Sequence, residues 1–117
     1  MIQIKRIYEK PSSTDGIRIL VDRLWPRGMT KDRASLNYWL KDIAPSQELR
    51  KWYCHKPLLQ NEFRILYREE LKSNTEHVNM VLNLSKDQNV TLLFTAKDPI
   101  YNHAVVLIEF LIEQFKK

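Results

Sequence analysis

The residues of this chain that could do chemistry gather in two short stretches. The first is Asp22-Arg23-Leu24-Trp25-Pro26-Arg27-Gly28. Its two arginines flank a Trp-Pro unit, and proline fixes one backbone angle, so the guanidinium groups have little freedom. A guanidinium is a planar fork that matches carboxylate and phosphate oxygens. An ion pair with Asp22 could orient one of them. A purely structural reading competes, in which Asp22, Arg23 and Arg27 form a salt-bridge cluster and Trp25 is core. The second stretch is Thr95-Ala96-Lys97-Asp98-Pro99-Ile100-Tyr101-Asn102-His103. Asp98 before Pro99 reads as a helix N-cap followed by the residue best suited to the first helical position. A helix N-terminus attracts anions, and Lys97 adds positive charge. His103, near the first turn, could act as acid or base, with the helix dipole favouring its neutral form. The blander alternative is that Asp98 only caps and His103 only packs.

Outside these stretches, Arg50 and the adjacent Cys54 and His55 stand out. Neighbouring residues do not share a helix face, so Cys54 and His55 are no ready-made pair. His55 could still face the arginines, while Cys54 reads as a small buried hydrophobe. Cys54, His55, Asp98 and His103 lack helical metal-ligand spacing, so neither metal nor cofactor is expected. With only 2 glycines, Gly16 and Gly28, no Gly-rich phosphate loop can be written. One cysteine excludes a disulfide framework, a CxxC redox pair and a multi-cysteine zinc site.

The formal charge is +5, and it is unevenly spread. Residues 1–56 hold 12 basic and 6 acidic side chains, and residues 57–117 hold 7 and 8. The basic half suits an anionic partner: a small phosphate or carboxylate compound, or nucleic acid. Trp25, Trp39, Trp52 and Tyr53 lie among those cations, as a single-strand groove requires, although no helix-turn-helix, zinc-finger or RNP signature is present. No apolar window approaches the roughly 20 residues of a membrane span, so no membrane partner and a cytoplasmic location are expected.

These side chains must be positioned by regular elements. Alternation over residues 2–8 predicts a first strand, and branched residues over 17–22 predict a second. Leu36, Trp39, Leu40 and Ile43 have helical spacing, which predicts a helix over residues 32–43. Ser46 reads as the N-cap of a helix carrying Leu49, Trp52 and Tyr53. After Pro57, Phe63, Leu66, Tyr67 and Leu71 trace another stripe. Ser73 and Glu76 have capping-box spacing for a helix to about Leu84. The apolar run Val90 to Phe94 suits a strand buried on both faces. The last helix carries Ala104, Leu107, Ile108, Leu111 and Phe115 on one side. Residues 1–117 thus read as one small α/β domain, with a largely parallel central sheet of three to four strands flanked by helices. In such sheets ligands sit beyond the carboxyl ends of the strands. If the strands at 17–22 and 90–94 are parallel neighbours, the two chemistry-bearing stretches meet at one edge.

Several strings together carry a resemblance: Arg18-Ile-Leu-Val-Asp-Arg-Leu-Trp-Pro-Arg-Gly28, Ala44-Pro-Ser46 with Leu49-Arg50, His55, Tyr67-Arg-Glu-Glu-Leu71, Thr91-Leu-Leu-Phe-Thr-Ala-Lys-Asp98, and Asn102-His-Ala104. Over nearly its whole length the chain is similar to the YeaO-like family of unknown function. That resemblance implies a small bacterial cytosolic protein with an α/β fold, and no particular activity. The wider superfamily often carries cysteine in the strand before the last helix and a Cys-His-Arg triplet at that helix's start. Here Phe94 and Asn102-His103-Ala104 stand there, and only the histidine matches. Thiol or Cys-metal chemistry is therefore disfavoured. The expectation is a small-anion site. Asp22, Arg23, Arg27, Arg50 and Lys97 would bind the charge, and His103, His55 or Asp98 would supply catalysis in a hydrolase or transferase. The alternative is a nucleic-acid-binding or regulatory module using the basic half.

Overall fold

A computed structural model describes residues 1–54 and 56–116. Four parallel strands form one sheet in the order β1-β4-β2-β3. They are β1 (Ile2–Arg6), β2 (Ile17–Leu20), β3 (Tyr38–Trp39) and β4 (Val90–Phe94). The helices are α1 (Lys31–Ala34), α2 (Gln47–Tyr53), α3 (Gln60–Ser73), α4 (Thr75–Leu84) and α5 (His103–Phe115). β4 lies between β1 and β2, so Ile4 and Ile19 both pair with Leu92. All five residues of β4 are buried, which is why it lacks polar alternation.

The two faces of the sheet are covered unequally. Ile19, Val21 and Leu92 join the larger core with Phe63, Tyr67, Leu107 and Leu111 from α3 and α5. Leu20 and Leu93 point the other way, into a smaller core with Ile7, Met29 and Ala34. Each such Val, Leu, Ile, Met or Phe side chain contributes roughly 1.5–3 kcal/mol when removed from water. The loop after β2 therefore covers the thin face, and Pro26 and Met29 are buried there. Among the described residues no helix is long and apolar enough to cross a membrane.

The first two strands end two residues earlier than the sequence suggests, at Arg6 and Leu20, and three helix assignments differ. Residues 32–43 do not form one helix. Ser35 takes a left-handed conformation (φ 49°) that closes α1 after four residues. Asn37 then exchanges bonds with Arg18, its N–H reaching the Arg18 carbonyl (2.9 Å) and its Oδ1 accepting from the Arg18 N–H (2.8 Å). The open edge of β2 thus captures Tyr38 and Trp39 as β3, and backbone pairing overrides a short helical pattern. Next, Ser73 is the last residue of α3 rather than a cap of α4. Asn74 separates the two helices, and its amide group donates to the Asp42 carbonyl (2.8 Å) while Oδ1 meets His77. Finally, Asp98 does not cap α5. Its Oδ1 accepts from the N–H groups of Ile100 (2.9 Å) and Tyr101 (3.0 Å), a tight turn that delays the helix. Asn102 is the cap, fully buried, accepting from the Val105 N–H at 3.1 Å. Ser46 caps α2 as its position suggests, accepting from Leu49. Two expected core residues are on the surface, Leu66 and Phe115.

Candidate functional site

At the carboxyl ends of β1, β2 and β4 the chain leaves a cleft of about 600 Å³. Its floor is an interlock between the two stretches that the sequence singles out. Asp22 follows β2 by one residue beyond Val21, and Thr95 follows β4 directly. Because these strands are parallel neighbours, Asp22 Oδ2 accepts from the Thr95 N–H (3.1 Å) and from the Thr95 hydroxyl. His103, the first residue of α5, brings Nε2 to 2.9 Å from the Val21 carbonyl and 3.2 Å from Asp22 Oδ1. A carbonyl only accepts, so Nε2 carries a proton. The ring is thereby fixed in one tautomer, with Nδ1 left to accept when neutral and to donate when charged. Tyr67 packs edge-on against the imidazole, at 6.3 Å between ring centres.

The Nε2–H bond is directed mainly at Val21. Oδ1 of Asp22 therefore has the imidazole beside it but no well-formed hydrogen bond, and among the described residues it is the one buried side-chain polar atom in that condition. Burial raises the Asp22 carboxyl, but the imidazole and the Thr95 donors outweigh it and hold the group below its ordinary value of 3.8. Burial also pushes the Tyr53 hydroxyl up, and the Asp98 carboxylate pushes it further. Tyr53 lines the cleft, stacks on Phe63 at 4.1 Å and donates to Gln60.

The cations divide by what they already hold. Arg23 is half-buried and turned onto α2's approach. Nε reaches the Pro45 carbonyl and Nη2 the Ala44 carbonyl, both at 3.3 Å, with Asp42 at 3.7 Å. Arg27 and Arg50 are exposed on the cleft, and neither guanidinium has a hydrogen bond or ion pair among the described residues. Lys51 joins them at the rim. Lys97 is exposed and does not line the cleft, and nor does Asp98, whose carboxylate is occupied by its own turn. Of the candidate residues, then, Asp22, Arg23, Arg27, Arg50 and His103 are brought together. His55 lies outside the described residues. Cys54 is not buried: it is the exposed left-handed cap of α2 (φ 46°) and touches the cleft. Among the described residues no cluster of His, Cys, Asp and Glu could hold a metal ion.

Tyr53, one of the aromatic residues noted among the cations, also lines the cleft, and so do Tyr8 and Lys51, which the sequence did not mark as site residues. The carboxyl-end rule applied to β1 would have found Tyr8, since β1 runs parallel to β4. Lys51 carried no signal beyond its place beside Arg50 on one short helix.

Fold and site together define a small parallel α/β protein with a cationic cleft at its carboxyl edge. The chain belongs to the family described as the inactive DUF488-N3 subclade, whose model matches residues 1–117. It is 43% identical over 110 residues to the uncharacterized protein YeaO of Escherichia coli strain K12, covering 94% of this chain and 96% of that protein. It is 38% identical over 110 residues to the uncharacterized proteins Rv3073c of Mycobacterium tuberculosis strain H37Rv and Mb3100c of Mycobacterium bovis, covering 94% of this chain and 92% of each. No solved structure matches the chain.

Proposed function

We propose that the protein binds a small anionic molecule, a phosphate or carboxylate compound, in the cleft beyond β2 and β4. The observation that carries this reading is the pair of exposed guanidinium groups of Arg27 and Arg50, neither engaged by any described residue. A structural salt-bridge cluster would have satisfied them internally, as Asp15 satisfies Arg18 at the amino end of β2. Lys51 adds a third cation at the same rim, and the low-dielectric floor strengthens attraction between unlike charges.

Binding without turnover fits better than hydrolysis or group transfer. The family's own description calls the subclade inactive. Among the described residues, the Nε2 proton of His103 is held by Val21 and Oδ1 of Asp98 by its own turn, so neither of these atoms is poised for proton transfer. The nucleic-acid reading keeps one supporting observation, the half-exposed Trp25 beside Arg27.

The test is a thermal-shift screen of inorganic phosphate, sugar phosphates, nucleotides and carboxylates on the intact protein. A ligand at 100 times its Kd stabilises by about 2.7 kcal/mol, which is readily detected. The reading expects a shift with at least one anionic compound, lost in Arg27→Ala and Arg50→Ala. A panel that leaves the wild-type Tm unchanged overturns it.

A further inference from the structure

The cleft offers more than charge, because one of its walls is an aromatic ring held in place before any ligand arrives. Trp25 is 36% exposed and lines the cleft beside Arg27. Its indole is nonetheless anchored. Nε1–H donates to the Met29 carbonyl at 2.8 Å, and the ring meets Trp39 at 5.4 Å in an edge-on arrangement. Trp39 is itself pinned, its Nε1–H donating to the Asp22 carbonyl at 2.7 Å and Lys41 lying 4.1 Å over its ring. On the other side of the same segment, the Tyr8 hydroxyl donates to the Arg27 carbonyl at 2.8 Å. A tryptophan serving only as core would be buried, and one that is merely on the surface would not need its N–H and its edge both engaged.

A ring fixed in this way loses little side-chain freedom when a second ring stacks on it, so most of the stacking energy survives as affinity. Deepening the anion-binding reading on which it rests, we propose that the ligand's anionic group is carried on a planar ring that lies on the Trp25 indole while the Arg27 guanidinium takes the charge. An aryl phosphate and a nucleotide both present this chemistry. A sugar phosphate or a free inorganic anion presents only half of it.

Three probes separate the two parts of the claim: inorganic phosphate, phenyl phosphate and cyclohexyl phosphate, titrated calorimetrically into the full chain at fixed low ionic strength. The two esters match in charge and nearly in size, and differ in having a flat π face. Phenyl phosphate is expected to bind about tenfold more tightly than cyclohexyl phosphate, as ring stacking on an aromatic side chain provides. Trp25→Leu should bring the two esters level without abolishing phosphate binding, and Trp25→Phe should keep part of the preference. Trp52→Phe, away from the cleft, should leave it intact. Equal affinities for the two esters on the wild type, with inorganic phosphate still bound, overturn the ring and leave the anion reading standing. Failure of all three probes to bind overturns both. The wild-type comparison decides the matter even if the Trp25→Leu variant folds poorly.

Discussion

Nε2 of His103 lies 3.2 Å from Oδ1 of Asp22, so the first residue of the last helix touches the carboxylate just past β2. The contact joins positions 81 residues apart in sequence across the parallel seam of β2 and β4. Burial would raise the Asp22 carboxyl, yet the adjacent His103 imidazole and the Thr95 donors bring it below its ordinary value of 3.8. A carboxyl whose folded value is depressed adds stability above the unfolded value, and that stability is lost as pH falls through the folded one. Asp22→Asn should therefore cost about 1–3 kcal/mol at neutral pH and flatten the loss of stability below about pH 3.8. Asp15 keeps part of the acid limb, since Ser12, Lys5 and Arg18 outweigh its burial and lower it too. Urea midpoints between pH 2 and 7 check this, and parallel curves for variant and wild type would sink the assignment.

The arginines of the cleft should separate by what their removal damages. Arg23 holds the Ala44 and Pro45 carbonyls at the entrance to α2. Arg23→Ala should lower stability by about 1–2 kcal/mol, the range for hydrogen bonds from a charged donor that is partly exposed. Arg27 and Arg50 hold nothing among the described residues, so Arg27→Ala and Arg50→Ala should leave Tm within about a degree of wild type and weaken anion binding several-fold. Tm and Kd measured on the same three variants give the answer. A large Tm loss in Arg27→Ala would place that side chain in the structure rather than in the site.

Part of this arrangement was legible in the sequence, and the rest depends on long-range packing. The buried strand Val90–Phe94 and the adjacency of the Asp22 and Thr95 segments were, because five consecutive apolar residues leave few alternatives and the carboxyl-edge rule does the rest. Residues 38–39 were not, because their strand exists only through pairing with β2, which no local pattern encodes. The start of α5 was misplaced by four residues because Asp98 and Asn102 are both good caps. Only the turn that Asp98 closes on Ile100 and Tyr101 decides between them. Arg23 and Arg27 look alike in sequence. Their division into a backbone clamp and an open charge depends on where residues 44–45 pass, a long-range fact.

Salt dependence distinguishes a single-anion cleft from a nucleic-acid surface. Each phosphate neutralised on a single strand adds roughly 0.7 to the slope of log K against log salt. A small phosphate compound held by Arg27 and Arg50 should give a slope no steeper than about −2. A ten-residue oligonucleotide should bind no better than its mononucleotide. Fluorescence titrations at three salt concentrations suffice, and a slope near −4 or steeper for the oligonucleotide would move the assignment to nucleic acid.

The two glycines provide a paired test of the frame that carries the site. Both have positive φ, +64° at Gly16 and +74° at Gly28, so any side chain is strained at either. They differ in what surrounds them. A Cβ on Gly16 would sit 2.2 Å from the Asn89 carbonyl oxygen, the same oxygen that accepts the Ile17 N–H at 2.8 Å and starts β2 beside β4. A Cβ on Gly28 would meet nothing within 4 Å. Gly28→Ala should therefore cost only the conformational penalty, about 1–2 kcal/mol. Gly16→Ala adds a backbone collision that cannot be relieved by turning a side chain, and should cost about 3 kcal/mol or more. Because Gly16 lies at the amino end of β2, away from the cleft, Gly16→Ala protein that still folds at low temperature should keep its ligand affinity there. Urea midpoints of the two variants measure the difference, and equal losses would show that Asn89 does not crowd Gly16.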